Sequence, residues 1–374
     1  MPLSDRAQLA LDAINRRPTT GIPSWLLHPM EHGIIERLAG AAPGEYVQDP
    51  ERVYLAMQQA IGTCMIDQWI PTNPLTMGDH GFEERERGAT TGAAAIVCDG
   101  IAIDGPEAVV EHLERFVFPA LAREIEAFDE EETAKAVIAA ERAVQAQIEP
   151  ILKAPYGYSR FPHLAYGTYG YEHYLTAYAL YPEVMERHFS LQADLAALHN
   201  GAVARAYRLG QLPPICRSDH DMAGSQGLLV SAKSLDRIWF PHFARAMRPL
   251  IEAGIEVIRH CDGNLMEMVP RLLEVGLTGF QGFQYEDGMD YERICRMKTR
   301  DGRSLIIVAG VSVTRTLPHG TPDDVRAELR WLAEHGPRTG LFLAGSSSIT
   351  PGVPWENLQA LVEGLAYYRR VGRG

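Results

Sequence analysis

A chain of 374 residues, 46% of them hydrophobic and 22% charged, can bury a large apolar core and has the composition of an ordinary globular protein. The formal net charge of −13 argues against a nucleic-acid-binding surface, which needs clustered lysine and arginine, and mildly against an anionic membrane. No apolar run reaches the roughly 18 residues that would span a bilayer, and residues 1–17 predict an amphipathic helix rather than a signal peptide. The 5 cysteines are scattered without a CxxC pair, which favours a reducing, cytoplasmic setting over a disulfide framework or a zinc ribbon.

Short apolar segments, rich in β-branched and aromatic residues, recur along the chain, and most are followed by a helical pattern. We predict strands at 22–27, 63–70, 160–167, 213–219, 255–260, 277–283, 304–310 and 339–345. Apolar residues at three- and four-residue steps predict helices at 50–62, 171–209, 232–253, 264–275, 289–299, 321–335 and 354–370. Buried strands that alternate with amphipathic helices predict parallel β/α units, and eight such units favour a closed (β/α)8 barrel, the TIM barrel, over an open sheet.

Residues 78–158 interrupt this alternation after the second predicted strand. They begin with the small, β-prone stretch "ERGATTGAAAIVCDGIAI" and continue with a long charged helical pattern. We therefore predict a hairpin followed by helices, inserted between strands 2 and 3 and lying over the barrel mouth. The whole chain, 1–374, is expected to form a single domain.

The stretch "VIRHCDGN" (257–264) places His260 and Asp262 where a barrel strand should end. Catalytic groups of such barrels collect at the carboxyl ends of the strands. Side chains two positions apart on an extended segment point the same way, so both could face one pocket and bind a metal or transfer protons. The alternative is that Asp262 closes a turn with Gly263 and that His260 is a hydrogen-bonded residue at the rim.

Acidic residues in two further segments are either catalytic or structural. In "SDHDMAG" (218–224), Asp219 and Asp221 flank His220, and two carboxylates can raise the pKa of an imidazole or orient it. Asp221 is the stronger catalytic candidate, although the segment could instead be a solvated loop that caps the next helix. Asp67 interrupts an apolar strand, where a carboxylate is costly unless it is paired or lies at the mouth, so it is a catalytic candidate as well.

Candidate substrate contacts follow several predicted strands. The pattern H-x-x-E-H in "HPMEH" (28–32) is that of an inverted zincin motif, but Pro29 indicates a helix start that leaves His28 outside the helix, so a protease site is not expected. Six residues are candidates for substrate contact, and the alternative for each is a position in the buried core or on the surface. They are His28, His32, Tyr166, Tyr169, Gln284 and Ser347.

Six stretches of the chain, in order, resemble the uroporphyrinogen decarboxylase superfamily. They are 5–25, 218–243, 252–265, 277–290, 306–329 and 343–361. The resemblance implies a TIM barrel, in agreement with the strand count. True uroporphyrinogen decarboxylases carry an arginine-rich segment after the first strand, whereas "LLHPMEHG" (26–33) holds no arginine. The chain therefore resembles the corrinoid-dependent methyltransferase branch more closely than the decarboxylases.

Methyltransferases of this branch with thiol acceptors typically hold zinc through a His-x-Cys pair and a later cysteine. The corresponding positions here are His260, Asp262 and Ser347, which would form a harder site than a thiolate site. The resemblance implies that His260 and Asp262 either bind a divalent metal or act as acid and base. It also implies roles for the acidic residues Asp221 and Asp67, because the superfamily carries acidic residues in both neighbourhoods.

The leading functional expectation is a methyltransferase-like enzyme. It would move a methyl group between a small methylated substrate or a methyl-corrinoid protein and a pterin or thiol acceptor, with zinc or another divalent metal and with methyl-corrinoid or tetrahydropterin as co-substrate. The resemblance implies a homodimer. Two alternatives stay open: a carboxy-lyase on a small carboxylate, with Asp67 stabilising a developing positive charge, and a zinc-free, non-catalytic barrel.

Overall fold

The computed structural model describes residues 3–72 and 96–373, which form a mixed α/β fold. The strands are β1 (Met65–Ile66), β2 (Val97–Cys98), β3 (Ile101–Ala102), β4 (Leu152–Lys153), β5 (Ile215–Asp219), β6 (Ala223–Gly224), β7 (Gly227–Leu228), β8 (Glu256–His260), β9 (Gly279–Gln281), β10 (Ile306–Val311) and β11 (Leu341–Gly345). The helices are α1 (Asp5–Ile14), α2 (His32–Ala39), α3 (Glu45–Gln48), α4 (Pro50–Ile61), α5 (Pro106–His112), α6 (Phe118–Glu126), α7 (Glu130–Ile148), α8 (Tyr166–Tyr169), α9 (Tyr171–Leu180), α10 (Pro182–Gly210), α11 (Ala232–Ile238), α12 (Phe240–Glu252), α13 (Val269–Val275), α14 (Tyr291–Arg296), α15 (Thr316–His319), α16 (Pro322–His335) and α17 (Trp355–Val371). A π-helical turn, Leu113–Val117, joins α5 to α6, and a 3-10 turn spans Tyr285–Asp287.

The largest sheet is parallel and has the strand order β11-β10-β9-β8-β5. Its strands are buried along almost their whole length, because helices cover one face of a parallel sheet and other strands or side chains cover the opposite face. The backbones approach closely: a Cβ on Gly279 would lie 1.9 Å from the carbonyl oxygen of Ile306. A glycine is therefore required where β9 meets β10.

Isolated parallel bridges extend this sheet at both ends. The segment before β1 bridges β11 through Ser24 and Leu343, and it bridges β1 through Trp25 and Met65. Strand β1 pairs with β4 in parallel, and the chain just after β4 reaches β5 through a bridge between Tyr156 and Arg217. The predicted mixed α/β fold with a parallel sheet is confirmed, and these pairings are consistent with a TIM barrel.

The third strand lies at β4 and not at 160–167, so this strand prediction is wrong. The backbone at Arg160 bonds to a side chain instead of a neighbouring strand, because its N–H donates to Asn200 Oδ1 (2.9 Å) and its carbonyl accepts from Asn200 Nδ2 (2.7 Å). Pro162 also lacks the N–H that a ladder would need. The segment therefore runs irregularly until α8 begins.

Within the range predicted as an insertion, the structure describes a hairpin followed by helices. Strands β2 and β3 form an antiparallel hairpin, and helices α5 to α7 follow. Helix α10 then packs against α7 and α12. Residues 78–95 of the predicted range lie outside the described residues, and β4 falls within its last part. Among the residues that the structure describes, none of the helices has the length and apolarity to cross a membrane.

Candidate functional site

Polar side chains meet where β5 and β8 end. The two strands pair so that Asp219 lies opposite His260, whose side chain is buried. His260 Nε2 is 3.8 Å from Asp262 Oδ1 and 3.9 Å from Asp219 Oδ1. Asp221, His260 and Asp262 each present one ligand atom, and these atoms lie within 4.8 Å of one another. The sequence prediction that these three residues share a site is consistent with this arrangement, although their chemical roles stay predictions.

Backbone hydrogen bonds hold the two loops that carry these residues together. Asp221 Oδ1 accepts the backbone N–H of Asp262 at 2.8 Å. Gly263 follows with a positive φ of 80°, and a Cβ there would lie 2.7 Å from the carbonyl oxygen of Gly224. Gln284, predicted as a substrate contact, accepts the N–H of Gly263 through Oε1. Gln284 therefore fixes the loop after Asp262.

The electrostatics of the acidic residues differ. Burial raises the pKa of Asp262, the charge of His260 opposes that shift, and the nearby Asp221 and Asp219 reinforce it. Burial also acts to raise the pKa of Asp219, but His260, Arg217 and a hydrogen bond from Tyr156 outweigh it, so that this pKa lies below its usual value. The Tyr156 hydroxyl donates to Asp219 Oδ2 at 2.8 Å. Asp219 is thus an ionised carboxylate that faces His260.

The residues present suit a divalent cation. His260 Nδ1 and Asp262 Oδ1 are buried and have no hydrogen-bond partner among the described residues. The donor set of one imidazole and two carboxylates is typical of sites for hard or borderline cations rather than of thiolate zinc sites. Four carboxyl groups at the ends of β1, β5 and β8 lie near two buried guanidinium groups, so the acidic groups outnumber the arginines by two. The carboxylates are Asp67, Asp219, Asp221 and Asp262, and the guanidinium groups are those of Arg217 and Arg259.

Asp67 belongs to a buried ion pair that the sequence prediction missed. Its Oδ2 lies 3.0 Å from Arg217 Nε, and both side chains are almost fully buried. Asp67 Oδ1 accepts from Trp25 Nε1 (3.1 Å) and from the backbone N–H of Gln68 (2.8 Å). Arg217 also donates to Gln281 Oε1 at 2.7 Å. An arginine inside the apolar segment "PPICRSD" poses the same problem of a buried charge as Asp67, and this signal could have identified it.

A small polar cavity of about 160 Å³ opens beside His260. It is lined by Trp25, Leu26, His28, Gln68, Arg217, Asp219, His260, Gln281, Ala344, Gly345, Ser347 and Ser348. Two predicted contacts, His28 and Ser347, are therefore in its wall. Burial lowers the pKa of His28 to about 4, and its Nδ1 lies 2.9 Å from the Tyr54 hydroxyl.

Three other predicted contacts lie outside this wall. His32 packs edge-on against the ring of Tyr46. The Tyr166 hydroxyl donates to the backbone carbonyl of Asp221 at 2.6 Å. Tyr169 is buried, and its hydroxyl lies 2.8 Å from His112 Nδ1 of helix α5.

His220 contradicts the expectation that its acidic neighbours raise its pKa. Burial, together with His163 and Arg259, lowers the pKa of His220 to about 2. Its Nε2 accepts the backbone N–H of Leu164 at 3.0 Å, so the neutral ring serves as a hydrogen-bond acceptor outside the cluster. Sequence neighbours point to opposite faces at a strand end, which separates this imidazole from the carboxylates on either side.

The model of the uroporphyrinogen decarboxylase (URO-D) family matches residues 210–367, which include β5, β8 and the acidic cluster. This part of the chain is similar to the uroporphyrinogen decarboxylase family. This confirms the resemblance that the sequence stretches carry. Similarity to a family of enzymes supports an enzyme. A search of curated proteins found no match.

Solved structures are similar to this chain at the level of the fold. A methyltransferase from Methanosarcina mazei is 15% identical with a TM-score of 0.58, and the match covers 97% of this chain and 98% of that one. A B12-independent methionine synthase from Shewanella sp. W3-18-1, in complex with selenomethionine, is 14% identical with a TM-score of 0.35, over 50% of this chain and 55% of that one. At 15% identity the first match shows a similar fold and nothing more. The TM-score of the second match, 0.35, is too low to support an argument.

Proposed function

We propose that this chain is a metal-assisted, methyltransferase-like enzyme built on a closed (β/α)8 barrel, with an insertion between the second and third strands over the mouth. The observation that carries the proposal is the cluster of Asp221, His260 and Asp262, whose ligand atoms lie within 4.8 Å of one another at the ends of paired strands. The fold-level likeness to a protein named as a methyltransferase supports the choice of reaction class.

His260, Asp262 and Asp221 would hold the cation, and a bound divalent cation acts as a Lewis acid that activates an oxygen or nitrogen group of the substrate. The small cavity would receive the methylated substrate, with the Ser347 hydroxyl and the Gln281 amide as its polar contacts. Arg217 and Tyr156 hold Asp219 in place, so that this carboxylate is positioned to accept a hydrogen bond from the substrate. Positioning of the reactants would supply much of the rate enhancement.

Several finer expectations belong to this proposal. Without cysteine at positions 262 and 347, an oxygen- or nitrogen-bearing acceptor such as a pterin suits the donor set better than a thiol. A methyl-corrinoid protein as donor and a homodimer are likewise proposed from the resemblance, and a cytoplasmic setting is proposed from the scattered cysteines. Zinc is one possible metal, and a harder divalent cation matches the two carboxylates at least as well.

A second candidate is a carboxy-lyase that acts on a small carboxylate. The Arg217 guanidinium lines the cavity and is buried, which is the arrangement that binds a substrate carboxylate through paired hydrogen bonds. Asp67 and Asp219 already share this charge, with Oδ2 atoms 3.0 and 3.7 Å from Arg217 nitrogens. The cation-binding proposal is therefore placed first.

Elemental mass spectrometry of the purified protein tests the proposal. We expect close to one divalent metal per chain, and we expect the His260→Ala/Asp262→Ala variant to lose it. The matched control is His335→Ala/Asp323→Ala, which removes an exposed histidine and an exposed aspartate from helix α16 and should keep the metal. A metal-free wild type, or metal retained by the first variant, contradicts the ligand assignment and leaves the lyase or the non-catalytic barrel.

A further inference from the structure

The segment 220–222, which includes Asp221, accepts hydrogen bonds from residues outside the cluster of Asp221, His260 and Asp262. The Leu164 N–H donates to His220 Nε2 at 3.0 Å, and Arg259 Nη2 donates to the His220 carbonyl at 2.7 Å. The Tyr166 hydroxyl donates to the next carbonyl, that of Asp221, at 2.6 Å. Two consecutive backbone carbonyls are thereby fixed. The side chain of Asp221 is left to face His260 and Asp262.

The same segment is also tied to the neighbouring strand end. The Met222 N–H donates to Cys261 Sγ at 3.3 Å, and the Asp262 N–H donates to Asp221 Oδ1 at 2.8 Å. Each residue of 220–222 therefore has at least one hydrogen bond that limits its movement. This is more restraint than an ordinary surface loop carries, since loops usually leave their backbone groups to water.

Restraint is needed because the cluster brings like charges together. Asp221, Asp219 and Asp262 are all close to His260, and carboxylates that approach one another repel. A free loop would relieve this repulsion by moving Asp221 away. A loop held by Tyr166 keeps the carboxylate in place, so the cost of ordering it is met when the protein folds rather than when a cation binds.

Arg259 is the second support of this segment, and its environment is unusual. Its side chain is fully buried, and Nε and Nη1 have no hydrogen-bond partner among the described residues. The guanidinium carbon lies 4.9 Å from the centre of the Phe161 ring. A buried cation with two unpartnered nitrogens is costly. The hydrogen bond from Arg259 to the His220 carbonyl, next to the acidic cluster, explains why an arginine is buried at this position.

We propose that Tyr166, assisted by Arg259, is a positioning residue of the metal site and sets its affinity by holding Asp221. The proposal rests on the cation site of the proposed function and assigns to Tyr166 a role different from the substrate contact expected from the sequence. Hydrogen-bond partners of metal ligands commonly change metal affinity by about 10- to 100-fold when they are replaced. The single hydroxyl of Tyr166 is expected to have an effect in this range.

The experiment is a titration of the metal-free, full-length protein with Co²⁺, followed by visible absorption, which reports both affinity and coordination. Tyr166→Phe removes one hydroxyl and is expected to weaken Co²⁺ binding by at least about 10-fold and to change the spectrum. The matched control is Tyr207→Phe. Its hydroxyl donates to the carbonyl of Ile215 at 2.8 Å, at the opposite end of the same strand β5. The control should bind Co²⁺ as the wild type does, while thermal unfolding shows that both variants fold.

A second variant, Arg259→Lys, keeps the charge but shortens the donor, and it is expected to weaken binding in the same direction. Wild-type binding with equal affinity in Tyr166→Phe and Tyr207→Phe overturns the positioning proposal and leaves the metal site in place. A wild type that binds no Co²⁺ overturns both the positioning proposal and the proposed function. Weakening by Tyr207→Phe to the same extent as by Tyr166→Phe shows a general effect of stability and also overturns the proposal.

Discussion

Replacing Asp67 by asparagine should lower the free energy of unfolding by about 3 kcal/mol, because breaking a buried ion pair leaves its partner charge uncompensated. The exposed fractions of the Arg217 and Asp67 side chains are 6% and 2%. Asparagine keeps the oxygen that accepts from Trp25 and Gln68, but it turns an NH2 group toward Arg217 Nε, 3.0 Å away. Because Arg217 also donates to Gln281, we expect the lower end of the usual range of about 3 to 5 kcal/mol.

Urea denaturation followed by tryptophan fluorescence and circular dichroism measures this change. The control is Glu131→Gln, which breaks an ion pair with Lys135 on the solvent-exposed side of α7 and should leave the unfolding midpoint unchanged. The variant Asp67→Leu/Arg217→Met removes both charges and should recover much of the lost stability. A loss below about 1 kcal/mol in Asp67→Asn would refute the reasoning, since the pair would then behave like an exposed one.

Three further outcomes are expected. Burial lowers the pKa of His188 to about 4 from an ordinary 6.5. The unfolded chain therefore binds this proton first, and the free energy of unfolding falls as the pH drops from 6.5 toward 4. Denaturation at pH 7 and at pH 4.5 should show that His188→Leu loses about 2 kcal/mol less of this free energy than the wild type does. Gly282→Ala would place a Cβ 2.6 Å from His260 Nδ1 at a φ of +75°, and we expect Co²⁺ binding to fall sharply while circular dichroism shows a retained fold. Glu256→Gln weakens a buried pair with Arg16 (2.6 Å) and should cost about 2 kcal/mol in urea denaturation.

Most of the parallel strands could be located from the sequence, because short apolar stretches that end in polar or glycine residues mark them. The prediction 255–260 compares with β8 at Glu256–His260, and 339–345 compares with β11 at Leu341–Gly345. The third strand could not be located, since β4 is only two residues long and the more apolar segment 160–167 follows it. The backbone of Arg160 in that segment bonds to the side chain of Asn200, which is 40 residues away in the sequence. A contact of this kind cannot be inferred from the local sequence pattern.

The acidic cluster could be predicted from position alone, because polar residues that follow buried strands meet at one edge of a parallel sheet. The partners of these residues could not. Tyr166 lay in a segment assigned to a strand, so its hydrogen bond to Asp221 could not be anticipated. Arg217 was not predicted as a site residue, because a single charged residue inside an apolar run was interpreted as part of the strand. The charge balance of the site could not be predicted either, because it includes the buried guanidinium groups of Arg217 and Arg259.

The register between β5 and β8 explains why Asp221 lies beside His260 and Asp262. Asp219 lies opposite His260, so Asp221 and Asp262, each two residues further along, come side by side, and the Asp262 N–H reaches Asp221 Oδ1. A slip of one residue would send these side chains to opposite faces. Ser347 follows β11, from which β10 and β9 separate β8, so it cannot share this register. The pairing of two neighbouring strands is therefore sufficient to bring Asp221, His260 and Asp262 together without a contribution from the last strand.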